Sequence, residues 1–279
     1  MTNPIADPLV ELTDTDALSA LVELDASPSG VAVITINRPD RKNAFNAEVI
    51  AALSQHFDTL KDADGVRIVF LRGAGGAFSA GADLEWMRSA ADWTVSENRA
   101  DALLLAEMLL ALRELPQFTV ALVEGPAFGG GAGLVAACDY AVAAPDAMFA
   151  FSEVKLGLVA ATISPHVVAA IGPRRAKSLF ATGRIFDAAF AEKIGLVDEV
   201  VAAAADLDDA MERLSTEIMA CAPGAVAASK ALVDDVAGVP IDEELLEETA
   251  RLIADRRASE EGQEGVRAFL DKRKPGWAL

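Results

Sequence analysis

The sequence predicts an α/β fold with a helical C-terminal third, and three observations carry that expectation. Strand-like runs alternate with helical ones from Leu21 to about Ala170, the pattern of a sheet with crossover connections. Helical signals then take over in RRAKSLFATG, DAAFAEKIG and MERLSTEIMA, followed by heavily charged helices past Pro240. Composition permits a large core, because 52% of the 279 residues are hydrophobic and only 24% are charged. At about 150 residues per domain the length gives roughly two domains, and one domain with an appendage fits equally well. The same composition excludes a disordered chain. The two cysteines, Cys138 and Cys221, exclude a disulfide scaffold and suit a reducing, cytoplasmic setting.

Taken in order, residues 1–20 read as a flexible acidic extension. MTNPIADPLVELTDTD lacks the basic and apolar regions of a secretory signal. LVELDA and VAVITIN alternate around Ser27-Pro28-Ser29-Gly30, which predicts a β-hairpin. Asn46 is placed to cap a helix through AEVIAALSQHFDTLKD, where apolar residues recur at three- and four-residue spacing. VRIVFLRG reads as a strand that ends in the loop GAGGAFSAGAD. An amphipathic helix from about Ser96 to Leu115 stops before Pro116. TVALVEG is the next strand, followed by the cluster Gly129-Gly130-Gly131-Ala132-Gly133 and a short apolar helix to Cys138. YAVAA and MFAFSE are short strands flanking the turn at Pro145-Asp146. The longest run without a formal charge, Leu156 to Pro173, contains Thr162, Ser164, Pro165 and His166, so it reads as buried core rather than a membrane span. The charge sum of 24 − 43 = −19 repels nucleic acid and anionic lipid, so neither is an expected partner.

Three places could hold chemistry. The triplet Gly129-Gly130-Gly131 sits at a strand-to-helix junction, where unpaired N–H groups and the helix dipole favour an anion or an oxygen that becomes anionic. It matches neither a P-loop nor a dinucleotide fingerprint, and taken alone a glycine-rich turn packed on the sheet explains it more readily. The loop Phe78-Ser79-Ala80-Gly81-Ala82-Asp83 also follows a strand and precedes a helix; two such loops could aim one N–H each at a single oxygen, or simply connect elements. Glu153 ends the apolar run FAFSEV, where burial would raise its pKa toward an acid–base range, although pairing with a nearby arginine or exposure at the strand end is the slightly readier alternative.

Other residues weigh less. His56 reads as exposed, His166 as a satisfied core or helix-terminus histidine, and Trp86 and Trp93 as packing residues. Arg38, Arg41 and Lys42, and again Lys272, Arg273 and Lys274, form basic runs that are either solvated or hold a phosphate. No spacing suggests a metal site, and no GxSxG elbow is present.

These pieces occur in one order. From about Leu21 to the C-terminus the chain resembles the enoyl-CoA hydratase/isomerase (crotonase) family. INRPDRKNAFN, AFSAGADLEWM, EGPAFGGGAGLVAACDYAVAA, FAFSEVKLGL and ATGRIFDAAFAEKIGLVDEVV carry the resemblance. It implies a crotonase-type ββα spiral core over residues 21–205 and a C-terminal helical oligomerisation region over 206–279 that builds a homotrimer or a dimer of trimers. It implies an oxyanion hole from the N–H groups of Ala82 and Gly130 on the thioester oxygen of an acyl-CoA. Asp83, Leu84, Gly131 and Gly133 would lie around the ester. The Ala80 carbonyl would meet the adenine amino group, Phe269 and Lys272 the adenine and phosphate end of CoA, often from a neighbouring subunit, and Arg41 and Lys42 the CoA phosphates. Coenzyme A enters as part of the substrate, and no further cofactor is implied.

The resemblance also exposes two departures. Two-carboxylate hydratases keep a Glu three residues after the middle glycine, and this chain has Gly133 there. The usual PGxGG segment reads AATIS over Ala160 to Ser164. Glu153 fills the second carboxylate position, and a single Glu there is what the isomerase branch keeps. ADLEWM, GGGAGLVAACD and SEVKLGL with ISP resemble bacterial hydratases of the 3-methylglutaconyl-CoA and carboxygeranoyl-CoA type, from leucine and terpenoid breakdown. The expected activity is hydration of an enoyl-CoA. The alternatives are Δ3-Δ2 isomerisation by Glu153 alone and CoA-ester binding without turnover.

Overall fold

A computed structural model describes residues 20–278, so the expected extension over residues 1–20 lies outside the described part save for Ala20. The strands are β1 (Val22–Ala26), β2 (Val31–Ile36), β3 (Ile68–Gly73), β4 (Phe118–Val123), β5 (Pro126–Phe128), β6 (Tyr140–Ala143), β7 (Met148–Ala150), β8 (Phe186–Asp187) and β9 (Glu199–Val200). The helices are α1 (Ala47–Lys61), α2 (Leu84–Ala90), α3 (Val95–Arg113), α4 (Gly130–Ala137), α5 (Ser164–Thr182), α6 (Ala188–Ile194), α7 (Asp206–Met219), α8 (Pro223–Val236), α9 (Glu243–Ala258) and α10 (Glu260–Leu270).

The expected hairpin forms: β1 and β2 are antiparallel, with Ala26 opposite Ala32. The remaining strands of the main sheet run parallel to β2, in the order β1-β2-β3-β4-β6-β9. A second sheet, ordered β5-β7-β8, sits beside it. YAVAA and MFAFSE therefore belong to different sheets, because the turn between them passes from one layer to the other. The two-residue strands β8 and β9 interrupt the stretch that reads as purely helical.

Alternation along the central strands builds two cores, since successive side chains point to opposite faces. Val69, Leu71, Ala121, Val123, Ala141 and Ala143 face one large cluster with α1, α3, α4 and α5. Ile68, Phe70, Val120, Leu122 and Val142 face the other, closed by Leu207, Ala210 and Leu214 of α7. Helix α7 lies beyond the 205/206 boundary expected from sequence, yet it covers a sheet face; the core packing runs through Met219.

Local signals place the helices as expected. The Asn46 side chain accepts the Val49 N–H at 3.0 Å at the start of α1. Thr94 and Glu97 close a capping box that starts α3 at Val95. Helix α8 has no buried residue and is pinned by Lys230, whose ammonium reaches Asp139 at 2.6 Å and donates to the Leu115 carbonyl at 2.7 Å. Helix α9 also has no buried residue, and α10 buries only Ala268.

The uncharged run Leu156–Pro173 departs from expectation. Leu156, Leu158 and Val159 are exposed, whereas Ile163, His166, Val167 and Ile171 are buried. The run is a surface loop followed by an amphipathic helix, and a lack of charge did not mean burial. Among the described residues no helix is long and apolar enough to cross a membrane.

Candidate active site

Three chain segments meet beyond the C-terminal ends of the parallel strands. The first is the loop after β3. The Phe45 N–H donates to the Gly81 carbonyl and the Asp83 N–H to the Phe45 carbonyl, both at 2.7 Å. These two bonds form a parallel bridge that brackets Ala82. The N–H of Ala82 then points away from Phe45, as the residue between two bonded neighbours does in a parallel ladder. It donates to no group among the described residues. Gly81 makes the turn possible: its φ is 91°, and a Cβ there would come within 2.9 Å of the Phe128 carbonyl oxygen.

The second segment is the start of α4. Gly129 has φ 50°, and its N–H donates to the Ala150 carbonyl at 2.9 Å, which ties the helix start to β7. Gly130 is the first residue of the helix, so its N–H has no intrahelical acceptor, and none is found elsewhere among the described residues. Phe45 joins the two segments. Its backbone holds Ala82, and its ring lies where a Gly130 Cβ would be 3.0 Å away. Sequence reasoning missed Phe45; an aromatic inside NAFN carries no mark of that role. Ala82 and Gly130 thus each have an N–H without an acceptor among the described residues, on two segments that both touch Phe45.

The third segment carries Glu153. It opens a short 3-10 helix (Glu153–Leu156) three residues after β7, rather than ending a strand. A Cβ on Gly129 would stand 3.3 Å from Glu153 Oε1, so the carboxyl lies against the glycine next to the free N–H of Gly130. Its Oε2 is buried and has no partner, so the alternative of arginine pairing does not hold. Burial pushes its pKa above the ordinary carboxyl value.

Gly133, expected near the ester, has no open space. A Cβ there would be 2.4 Å from Ile163 Cγ2 and 3.7 Å from Leu109 Cδ1. Ile163, in the altered AATIS segment, fills the place a side chain at 133 would need. The two departures noted in the sequence are therefore the two halves of one packing contact. Gly131 is equally close-packed, with Ser79 O 2.6 Å from its would-be Cβ.

The side chain of Asp83 is also not at a ligand's disposal. It is 4% exposed, caps α2 through Glu85 and Trp86, and pairs with Arg38 at 3.1 Å. Arg38 correspondingly turns inward, donating also to the Ala44 carbonyl at 2.6 Å, and leaves the basic run. Leu84 starts α2 and is exposed. Arg41 pairs with Glu85 at 3.2 Å, and the Lys42 carbonyl accepts the Ala80 N–H at 2.9 Å, which keeps both residues beside the Ala80 loop. No N–H among the described residues donates to the Ala80 carbonyl.

Phe269 and Lys272 are elsewhere in the protomer. Lys272, Arg273 and Lys274 line a hollow with Ser29, Val31 and Met219, at the opposite end of β2 from the site. Phe269 is 81% exposed. One chain alone does not bring them to Ala82, Gly130 and Glu153. His56 is half-buried rather than exposed, with Nε2 2.9 Å from the Val22 carbonyl oxygen. His166 is buried, but its Nδ1 has no partner, so it is not satisfied. Burial and then the nearby Arg113 guanidinium lower its pKa. Trp86 packs on the main cluster, and Trp93 is half-buried, in keeping with packing roles.

Residues 26–278 match the family model described as enoyl-CoA hydratase/isomerase. A Thermus thermophilus protein provisionally named as an enoyl-CoA hydratase is 38% identical over 249 residues, covering 88% of this chain and 96% of that protein. The crystal structure of an enoyl-CoA hydratase from Shewanella pealeana is 37% identical with a TM-score of 0.90, covering 95% of this chain and 100% of the other. Pseudomonas aeruginosa AtuE is 37% identical with a TM-score of 0.89, covering 93% and 100%.

Proposed function

The chain belongs to the enoyl-CoA hydratase/isomerase family, and from that premise we propose that it hydrates an enoyl-CoA with Glu153 as its only acid–base carboxylate. The thioester oxygen accepts hydrogen bonds from the N–H groups of Ala82 and Gly130. Glu153 takes a proton from water as the water oxygen bonds to C3. The electron pair of the 2,3 double bond moves into an enolate, whose charge rests on the oxygen between the two donors. The Glu153 carboxyl then returns its proton to C2, which restores the carboxylate and balances the addition. Each fixed donor to such an oxyanion typically contributes about 2.7–4 kcal/mol. The chemistry requires no cofactor beyond the CoA of the substrate.

The observation that carries this reading is the placement of Glu153, with Oε1 against Gly129 and Oε2 buried and unpartnered. A carboxylate with an unclaimed lone pair can accept a proton, and its raised pKa makes the acid a better partner for the return step. The experiment is Glu153→Gln assayed on crotonyl-, 3-methylcrotonyl- and 3-methylglutaconyl-CoA, with products identified by mass spectrometry. The variant loses about 100- to 10,000-fold in kcat, the usual worth of an acid–base group, while CoA-ester affinity stays within a few-fold. A variant at wild-type rate overturns the role.

A second reading is supported by the contact between Gly133 and Ile163. Hydrocarbon stands where a second carboxylate would hold water, and a single Glu suffices to carry a proton from C4 to C2. Incubation of a 3-enoyl-CoA in deuterated water separates the two: isomerised ester without 3-hydroxyacyl product favours isomerisation. The finer substrate reading, a branched and carboxylated enoyl-CoA, draws on ADLEWM, GGGAGLVAACD and SEVKLGL. Assembly through the C-terminal helices is supported by exposed Leu246, Ile253, Val266, Phe269 and Leu270, and would let a neighbouring copy supply Phe269 and Lys272.

A further inference from the structure

Phe45 touches the two donor segments with different parts of itself. Its backbone N–H donates to the Gly81 carbonyl and its carbonyl accepts the Asp83 N–H, both at 2.7 Å, so its main chain holds Ala82. Its ring meets the other segment: Cδ2 and Cε2 each lie 3.0 Å from where a Gly130 Cβ would stand. Phe45 is 1% exposed, and its chain neighbours are anchored on both sides. Asn43 Nδ2 donates to the Ala74 and Ala77 carbonyls at 2.9 and 2.6 Å, and Asn46 accepts the Val49 N–H at 3.0 Å. The two loops are also joined directly, by a bridge between Ser79 and Ala127. That tie lies three residues before each donor and fixes the bases of the loops. Beyond it, the ring of Phe45 is wedged against the first residue of α4.

We infer that Phe45 is a positioning residue for the oxyanion hole: its ring sets the spacing between the Ala82 and Gly130 N–H groups, and with it the charge they stabilise. The inference rests on the reading of those two N–H groups as the donors to the thioester oxygen. Both donors must come within about 2.7–3.1 Å of one oxygen, and a misplacement near 1 Å costs about 100-fold in rate. Helix α4 starts on glycines and has no side-chain cap, so its first turn offers little stiffness of its own. A buried ring against Gly130 supplies that stiffness. Correct spacing matters more to an oxygen that gains charge than to the ground-state carbonyl, so its loss falls on kcat rather than KM.

The test reads the donors directly and needs no turnover. Butyryl-CoA labelled with carbon-13 at the thioester carbonyl is bound to the full chain; donors that polarise the C=O move its resonance downfield from that of the free ester. The wild type shows this displacement. Phe45→Val, which removes both ring carbons, shows a smaller one with ester affinity within a few-fold. Phe45→Leu keeps a carbon near the place of Cδ2 and falls between. On crotonyl-CoA, kcat of Phe45→Val falls about 10- to 100-fold, less than the loss of about 10²–10³ for a donor removed outright. Phe57→Val is the packing control. Phe57 is as buried as Phe45 and belongs to the same cluster, but it lies about 15 Å along α1 from the start of that helix. That variant loses stability and keeps the displacement. Glu153→Gln also keeps it while losing turnover, which separates this inference from the acid–base one. A wild-type complex with the resonance of the free ester overturns the donor reading and this inference with it. A wild-type displacement in Phe45→Val, or equal losses in Phe45→Val and Phe57→Val, overturns this inference alone.

Discussion

Asp83 and Glu153 are carboxylates on two segments that meet at the start of α4, and the protein surrounds them differently. Asp83 is enclosed by donors: Glu85 N–H at 2.8 Å and Trp86 N–H at 3.4 Å on one oxygen, the Arg38 guanidinium at 3.1 Å on the other. Burial pushes its pKa up, but these three donors outweigh burial and hold it below the ordinary 3.8. Glu153 has burial with only its own backbone N–H as a donor and Oε2 unpartnered, so burial prevails and its pKa rises above the ordinary 4.5. A carboxylate whose lone pairs are all claimed by the chain is part of the scaffold. One left with an unclaimed oxygen can exchange a proton with a ligand. Burial alone does not separate the two, since both are removed from water; the count of donors does.

The most severe way to break this contrast is to place a third carboxylate where hydrocarbon now excludes one. Gly133→Glu drives a side chain into Ile163, against a contact of 2.4 Å already at Cβ, and buries a charge with no donor nearby. Overpacking costs about 1–3 kcal/mol and an unpaired buried charge several more. The single variant is expected to lose about 4 kcal/mol or more in denaturant melts, the tail reserved for such defects. Gly133→Glu with Ile163→Ala should lose less than the sum of the two single variants, because one change makes room for the other. Additive losses would show that Ile163 does not occupy the place of the missing carboxylate.

This contact also marks the limit of what the sequence could reveal. Elements set by near neighbours were legible: the hairpin around Ser27–Gly30, the Asn46 cap, the long helix before Pro116. Strands β8 and β9 were not, because two residues give no periodicity. Glu153 stood out by its type in an apolar run, and Ala82 and Gly130 were singled out by the family resemblance rather than by the glycines alone. The roles of Asp83, Arg38, Phe45 and Ile163 depend on partners distant in the chain. Arg38 lies 45 residues from Asp83, and nothing in either local stretch announces the pair. Gly133 and the AATIS segment each read as an anomaly, and only packing made them one feature.

The donor-rich region can be broken from the other side. Asp83→Ala removes the cap on α2, worth about 0.5–2 kcal/mol. It also leaves the Arg38 guanidinium, only 14% exposed, without its acid. Loss of one partner of a fully buried pair costs about 3–5 kcal/mol, and partial exposure reduces that. A total near 2–4 kcal/mol is expected by thermal melts, the upper part of the range for a capping residue that also holds a charge. Asp83→Asn keeps an acceptor for the α2 cap and should lose less. Because Asp83 adjoins Ala82, Asp83→Ala should lower kcat as well: the backbone bridge that aims the Ala82 N–H keeps its donors but is no longer held in place by the capped helix and Arg38. Loss of stability with full kcat would show that the bridge to Phe45 holds Ala82 without the capped helix.

The smallest effect has the opposite sign. The folded chain holds the Glu153 proton more tightly than the unfolded chain, so its contribution is most favourable below the ordinary carboxyl value of 4.5 and is lost as pH rises through the raised folded value. At neutral pH the ionised form is the one that burial opposes. Glu153→Gln cannot ionise and escapes that cost. The variant is expected to melt about 2 °C above the wild type at pH 7, the shift of a fraction of a kcal/mol to one kcal/mol in a chain of this size. The gap should close as pH falls toward 4, where the wild-type carboxyl is protonated in both states. Asp83 predicts the reverse trend, since its folded pKa is lowered: its contribution is present above the ordinary value and is lost as acid protonates the folded carboxyl. Measured together, Glu153→Gln gains stability as pH rises relative to the wild type while Asp83→Asn loses it. If both variants moved in the same direction with pH, the donor count would not be what distinguishes the two carboxylates.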